Sequence, residues 1–216
     1  IVDDYYTKEL PGGLNQTLAL GIINAFMPND AIALGSAGSL PGDMQRLFRP
    51  KDRGTYHMEY GYSTMGYEIA GALGVKLAIG DKREVYAMCG DGSFNMLHGE
   101  LVTAVMERKK INICLFDNAS FGCINNLEVG QGNASICTEK NMLEPGVTNG
   151  IHKGKVIQVD YAAIGAAYGC KTYTVKTLDE LKAAIEDAKK QTVSTLIDMK
   201  VLPKTMSAGY ENWWRV

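Results

Sequence analysis

With 216 residues, 46% of them hydrophobic and 21% charged, the chain can bury roughly 70% of the surface its unfolded form exposes, which excludes a disordered or low-complexity protein. The net charge is −2 with lysines and arginines scattered, which argues against a nucleic-acid partner, and no apolar run approaches the ~20 residues of a membrane-spanning helix. The five cysteines are an odd number without a C-x-x-C pair, so zinc and a disulfide scaffold are poor readings, and Cys89 and Cys114 fall in apolar runs where cysteine serves as a small hydrophobe.

Residues 1–13 read as an irregular lead-in. They lack the basic-then-apolar form of a signal peptide, which makes the cytoplasm the expected compartment, and a start at Ile1 reads as a cut from something longer. Residues 14–26 (LNQTLALGIINAF) predict an amphipathic helix with Leu14, Leu18, Ile22 and Phe26 in one row. A short buried strand over 31–34 (AIAL) runs into Gly35-Ser36-Ala37-Gly38-Ser39. Small residues there let a backbone approach a phosphate closely, and they equally make an ordinary glycine-rich turn. A helix over 41–47, a charged loop over 49–53 and the segment 56–62 (YHMEYGY) follow; then come Ser63-Thr64-Met65-Gly66 and a helix over 67–78.

The next stretch carries the most information. Residues 85–89 (VYAMC) read as a buried parallel strand closed by the turn Gly90-Asp91-Gly92. Ser93 is the expected cap of a helix whose apolar positions Leu97, Leu101 and Val105, with Met106 beside them, repeat at i, i+4 and i+8. After the basic break Arg108-Lys109-Lys110, a second apolar run over 111–116 ends at Asp117-Asn118. In such a β-α-β unit both strands end on one edge of the sheet, about 5 Å apart if they are neighbours. Asp91 and Asn118 then face one small volume, which also receives a helix amino end whose unpaired N–H groups and dipole favour phosphate. A carboxylate and an amide oxygen beside a phosphate site are what Mg²⁺, with its six oxygen ligands, takes from a protein. A lone GDG is an ordinary turn; its conjunction with Ser93, the helix, the second strand and Asn118 points to a Mg²⁺-diphosphate site.

Residues 128–156, rich in Gly and Asn, predict an irregular lid or binding loop, mobile until a ligand orders it. Regular structure resumes with a helix over 160–168, a strand over 171–175, a helix over 178–190 and a strand over 194–199. Thr177 and Glu180 form a capping box, Leu178, Leu181, Ala184, Ile185 and Ala188 a buried stripe, and Glu186 and Lys190 an i, i+4 pair. Trp213 and Trp214 are expected to dock onto something absent from the chain or onto a neighbouring subunit. His57, His98 and His152 have no metal-ligand partner at usable spacing, and His98 reads as a hydrogen-bonded structural histidine. The alternation of elements predicts one domain of the α/β class, a doubly wound, mostly parallel sheet with helices on both faces and a ligand at its carboxyl edge.

The spacing of GDG, then 25 residues, then Asn118 in an Asp-Asn pair resembles the cofactor signature of thiamine diphosphate-dependent enzymes. The segment GYSTMGYEIAGALGVKLA resembles the Gly-x-x-Thr-Met-Gly turn and helix of their acetolactate-synthase-like branch. The resemblance implies the thiamine diphosphate-binding fold, with thiamine diphosphate and Mg²⁺ as cofactors. Asp91, Asn118 and the carbonyl of Ser120 are the implied metal ligands; Ser120 stands where the family often has Gly, which suits a carbonyl ligand provided its backbone angles do not demand glycine. Gly92 and Ser93, together with Gly35, Ser36 and Ala37, are implied to hold the diphosphate. Met65 is the implied wedge that bends the cofactor into a V, bringing its 4′-imino nitrogen against thiazolium C2 so that it deprotonates itself. Its N–H would donate to the pyrimidine ring and the Ser63 carbonyl would accept from the 4′-amino group. Met65 also reads as plain core. Met96 is a further candidate contact, although one methionine among 10 is more often packing. Phe121, Gly122 and Cys123 sit where the cofactor's reactive end would point, without an assignable role.

The runs AGSLPGDMQRLFRP, YHMEYGYSTMGYEIAGALG, GDGSFNMLHGEL, FDNASFGCINNL and VLPKTMSAGYENWWRV resemble, over nearly the whole chain, the family's cyclic-dione hydrolases of myo-inositol breakdown. This implies a small cyclic dione as substrate, hydrolysis of a C–C bond to 5-deoxyglucuronate, a homo-oligomer, and a three-domain parent chain of which these residues are the diphosphate-binding part. In this family the glutamate that protonates the pyrimidine ring belongs to a separate pyrimidine-binding domain. No catalytic residue is therefore assignable here, the chain alone is expected to be inactive, and it is expected to join that domain or dimerise through the face carrying Met65 and Asn118. Glu59, Glu68 and Glu100 read as solvated or paired charges. The alternatives are an acetolactate-synthase-like carboligase or lyase and a non-catalytic isolated cofactor-binding domain. A nucleotide-binding domain is a poor reading, because neither G-x-G-x-x-G nor G-x-x-x-x-G-K-[ST] occurs.

Overall fold

The computed structural model describes residues 2–148 and 151–208, so Trp213 and Trp214 lie outside the described residues. Six strands, β1 (Ile32–Gly35), β2 (Tyr56–Met58), β3 (Val85–Gly90), β4 (Asn112–Asp117), β5 (Lys171–Val175) and β6 (Thr195–Lys200), form one sheet in the order β2-β1-β3-β4-β6-β5 with every pairing parallel. The helices are α1 (Val2–Thr7), α2 (Gln16–Phe26), α3 (Ser39–Leu47), α4 (Tyr67–Ile79), α5 (Asp91–Leu97), α6 (Glu100–Met106), α7 (Gly122–Gly130), α8 (Tyr161–Ala167) and α9 (Leu178–Ala188).

The central strands read as continuous apolar runs because both of their faces are covered. Tyr86, Met88, Cys114, Phe116, Ile197 and Met199 point into a core shared with α2, α3 and α9. Val85, Ala87, Cys89, Ile113, Leu115 and Leu196 point to the opposite face, where α4, α5, α6 and α8 close the second core. The doubly wound α/β expectation matches this arrangement. After β1 the chain winds outward to β2, then returns to place β3 on the other side of β1. The loops that follow β1 and β3 diverge there, opening the crevice in which such sheets bind ligands.

Local chemistry sets several boundaries. Asn15 caps α2 by accepting from the Leu18 N–H at 2.8 Å, and Asp160 caps α8 through the Ala163 N–H at 2.8 Å. The capping box of Thr177 and Glu180 opens α9 with both of its hydrogen bonds present.

Other expectations are corrected. The lead-in contains α1, and the α2 face pressed onto the core is centred on Ala19, Leu20 and Ile23, leaving Phe26 only partly buried. Gly90, not Ser93, is the N-cap of α5, and Ser93 lies inside the first turn. The single helix predicted after it is two, separated at His98-Gly99. Leu101 is fully buried, whereas Leu97, Val105 and Met106 are 50%, 50% and 75% exposed. The irregular stretch begins only after α7 ends at Gly130. Glu186 pairs with Lys189 at 2.5 Å rather than with Lys190, because α9 ends at Ala188 with Lys189 as its C-cap and Lys190 lies beyond the helical register. His98 is held by ring contacts, stacking on Phe94 at 5.1 Å and meeting Tyr168 edge-on at 5.6 Å, while its Nδ1 has no hydrogen-bond partner among the described residues.

Candidate cofactor and metal site

Three loops leave the carboxyl edge of adjacent strands and converge. The first follows β1 at 36–38, the second is the β3–α5 turn, and the third follows β4 at 118–121. Because β3 and β4 pair with Gly90 opposite Phe116, Asp91 and Asn118 leave neighbouring strands within two residues of the same level. An open cleft lies between the loops, lined among others by Ala37, Met65, Asp91, Gly92, Asn118 and Phe121. Close approach demands glycine at one point: a Cβ on Gly92 would come within 2.7 Å of the Phe121 ring and 3.3 Å of the Met65 methyl.

The oxygens at the cleft are held by local turns. Asn118 Oδ1 accepts from the Ser120 N–H at 3.0 Å and the Ser120 hydroxyl at 2.9 Å, and Asp117 Oδ1 accepts from the Ala119 N–H at 3.0 Å. The left-handed residue of this loop is Ala119, at φ 53; Ser120 is not among the positive-φ residues, so its backbone does not require the glycine often found there. Asp91 is 1% exposed and accepts from the Gly92 N–H at 3.0 Å through Oδ1, while Lys140 Nζ lies 2.5 Å from Oδ2. Burial pushes the Asp91 carboxyl above the usual carboxylate range; Lys140 pulls it back and nearby Asp117 pushes it further up.

A polar network continues beneath the cleft. Lys140 Nζ also donates to the Tyr161 hydroxyl at 2.8 Å, which accepts from Asn95 Nδ2 at 3.0 Å. Lys200 Nζ, 5.3 Å from the Tyr161 ring centroid, donates to Asp117 Oδ2 at 2.7 Å and the Val159 carbonyl at 2.7 Å and is ion-paired with Asp198 Oδ2 at 2.8 Å. Burial works to lower the Lys200 ammonium, but the two carboxylates outweigh it and hold it above its ordinary value.

Of the residues singled out in the sequence, Ala37, Met65, Asp91, Gly92, Ser93, Asn118 and Ser120 line this one cleft. Gly35, Ser36, Ser63 and Met96 do not. Gly35 is the last residue of β1, and a Cβ there would meet the Met58 methyl at 2.9 Å. Ser36 is fully buried and donates its hydroxyl to the Thr64 carbonyl, tying the loop after β1 to the turn that carries Met65. Ser63 is exposed at φ 52, and Met96 is 53% exposed.

Glu59 is half-buried and accepts from the Tyr62 and Thr64 N–H groups at 2.9 and 2.7 Å, pinning the same turn. Glu68, expected to be solvated or paired, is instead 1% exposed and accepts the Gly66 N–H at 3.0 Å. Burial pushes its carboxyl up to about 7. Sequence reasoning missed Glu68 because an acidic residue in a first helical turn reads as a surface charge complementing the helix dipole. Lys140 lies 49 residues from Asp91, and no spacing signal announces it.

The residues present fit a divalent ion and a diphosphate. An acidic oxygen, an amide oxygen and a backbone carbonyl are hard donors of the kind Mg²⁺ takes, and a cationic group of the chain already lies against Asp91. The Ser93 hydroxyl lies buried at the cleft beside the Glu68 carboxyl, whose upward shift it opposes.

Residues 36–199 match the family described as thiamine pyrophosphate enzyme, C-terminal TPP binding domain. The chain belongs to this family. It is 59% identical over 96% of its length to the 3D-(3,5/4)-trihydroxycyclohexane-1,2-dione hydrolase of Clostridium perfringens (strain 13 / Type A), and 56% identical over 98% to the enzyme of that name from Geobacillus thermodenitrificans. It spans about a third of these relatives, 32% and 33% of their respective lengths.

Among solved structures it resembles the thiamine diphosphate-dependent 4-hydroxybenzoylformate decarboxylase of Rhodococcus jostii RHA1, with a TM-score of 0.75 at 21% identity over 92% of this chain and 34% of that one. It also resembles the benzoylformate decarboxylase of Polynucleobacter necessarius, with a TM-score of 0.73 at 23% identity over 93% of this chain and 36% of that one. These two likenesses establish the thiamine diphosphate-binding α/β fold. Among the described residues no helix is long and apolar enough to cross a membrane.

Proposed function

We propose that this chain is the diphosphate-binding part of a cytoplasmic, homo-oligomeric hydrolase that uses thiamine diphosphate and Mg²⁺ to break a C–C bond of trihydroxycyclohexane-1,2-dione, releasing 5-deoxyglucuronate in myo-inositol catabolism. The observation that carries the reading is identity of 54–59% over 96–100% of the chain to relatives bearing that name. The convergence of seven of the singled-out residues on one cleft supports it.

In this reading the Asp91 carboxylate, the Asn118 amide oxygen and the Ser120 carbonyl hold Mg²⁺. Ala37, Gly92 and Ser93 cradle the diphosphate, Gly92 by leaving room for close backbone approach. Met65 supplies an apolar wall, on a turn fixed by Glu59, Glu68 and Ser36. When bound, thiamine diphosphate supplies the nucleophilic carbon and the electron sink that C–C cleavage needs. The glutamate that protonates the pyrimidine ring comes from a pyrimidine-binding domain outside this chain, so none of its residues carries that role.

The test is turnover of the full-length protein with Mg²⁺ and thiamine diphosphate, with the cyclic dione and 2-ketoacids offered separately and products identified by NMR. Ring opening that disappears in Asp91→Asn is the expected result. Condensation of 2-ketoacids instead would make the protein an acetolactate-synthase-like carboligase, and cofactor binding without turnover of either would leave a non-catalytic binding domain.

A further inference from the structure

Asp91 already has a cationic partner from within the chain. Lys140 Nζ lies 2.5 Å from Asp91 Oδ2, and the lysine side chain is only 14% exposed. It comes from the long connection between α7 and α8, which is laced to the loop bearing Asn118 and Ser120. The Phe121 N–H donates to the Thr138 carbonyl at 2.8 Å, the Lys140 N–H to the Ala119 carbonyl at 2.8 Å, and the Ile157 N–H to the Lys140 carbonyl at 2.7 Å. Ser120 and Glu139 face each other in an antiparallel bridge. The backbone thus delivers the ammonium from a segment hydrogen-bonded to the loop that offers the amide and carbonyl oxygens. The Tyr161 hydroxyl is the second partner of Lys140 at 2.8 Å, and the Phe121 and Tyr161 rings lie 5.9 and 5.4 Å from Nζ.

A carboxylate oxygen in contact with an ammonium cannot also accept Mg²⁺ at about 2.1 Å without bringing two cations together. We propose that Lys140 is a tethered competitor of the divalent ion: it neutralises Asp91 until the ion arrives, must leave that oxygen for the ion to bind, and so sets the affinity of the site for metal. This rests on the assignment of Asp91 and Asn118 as metal ligands. Metal arriving with a diphosphate brings anionic oxygens to which the displaced ammonium can turn, whereas metal arriving alone brings none. Lys140 thereby favours the metal-diphosphate pair over the free ion. The lysine positions charge and has no part in bond breaking.

Mn²⁺ binding to the full-length protein without cofactor, read from the electron paramagnetic resonance signal of the free ion, tests this. Lys140→Met keeps the length of the side chain and removes its charge, leaving Asp91 a buried carboxylate with no counter-ion, so Mn²⁺ should bind about tenfold more tightly or better. Lys140→Arg, which keeps the charge, should bind Mn²⁺ no more tightly than the parent. Adding Asp91→Asn should abolish the binding in either background. If Asp91-dependent Mn²⁺ binding is the same or weaker in Lys140→Met, the competition is refuted while the metal site stands; if no protein shows Asp91-dependent binding, both fall. Should Lys140→Met fail to fold, acetylation of Lys140 in the parent protein, followed by mass spectrometry, decides the matter. Reactivity that rises with Mn²⁺ supports displacement, and unchanged reactivity overturns it.

Discussion

Replacing Glu68 by Gln isolates the cost of a carboxyl held beneath the turn that carries Met65. The folded protein holds this proton up to about pH 7, against an ordinary value of 4.5. At 1.36 kcal/mol per pH unit, that difference makes ionisation of the native state cost roughly 3 kcal/mol, an order-of-magnitude figure for a group 1% exposed. The sign follows from proton counting. Between pH 4.5 and 7 the native state keeps a proton that the unfolded chain releases, so the contribution of Glu68 is fully present below 4.5 and is lost as pH rises through about 7. Gln cannot ionise and can still accept the Gly66 N–H. Urea unfolding followed by circular dichroism should give nearly equal stabilities for the parent and Glu68→Gln at pH 5. At pH 8 the variant should be more stable by roughly 2–3 kcal/mol. Parallel stability curves across this range would mean that Glu68 is ionised in the native state, and the burial argument would fail.

Gly92→Ala places a methyl 2.7 Å from the Phe121 ring, which must turn toward the cleft; calorimetry on the full-length protein should show thiamine diphosphate binding weakened at least about tenfold while the melting temperature changes little. Lys200→Met leaves Asp117 and Asp198, 7% and 0% exposed at their side chains, without their shared ammonium, so thermal or urea unfolding should register a loss of about 3–5 kcal/mol. Thr177→Ala removes half of the capping box at the start of α9 and should cost about 1 kcal/mol by the same measurement, with cofactor binding untouched.

The scaffold was legible wherever one local rule sufficed. Strands buried on both faces must be apolar throughout, so 85–89 and 111–116 stood out within a residue of β3 and β4. The capping box marked the start of α9, and the strand-end positions of Asp91 and Asn118 followed from the parallel crossover alone. Periodicity failed at 93–106 because an apolar residue every fourth position says which side chains share a helix face, not whether anything covers that face. Leu101 is covered; Leu97 and Val105 are half exposed among the residues described. The helix breaks at His98-Gly99 without any proline to announce it.

What remained hidden was the charge arrangement behind the cleft, and the reason lies in how charges acquire meaning. A carboxylate at a strand end has its place fixed by the backbone, so Asp91 can be found from one segment of sequence. Lys140 has its effect only because 138–140 folds back against 119–121, and Lys200 only because β6 inserts between β4 and β5 and carries its ammonium beside Asp117. Both lysines then meet the Tyr161 ring, with Nζ atoms 5.4 and 5.3 Å from its centroid. Three acidic side chains, Asp91, Asp117 and Asp198, are thus held by two ammonium groups around one aromatic ring. Removing either lysine should therefore disturb the site from beneath, Lys200 through stability and Lys140 through metal affinity. The two effects separate experimentally because only Lys140 contacts a proposed metal ligand.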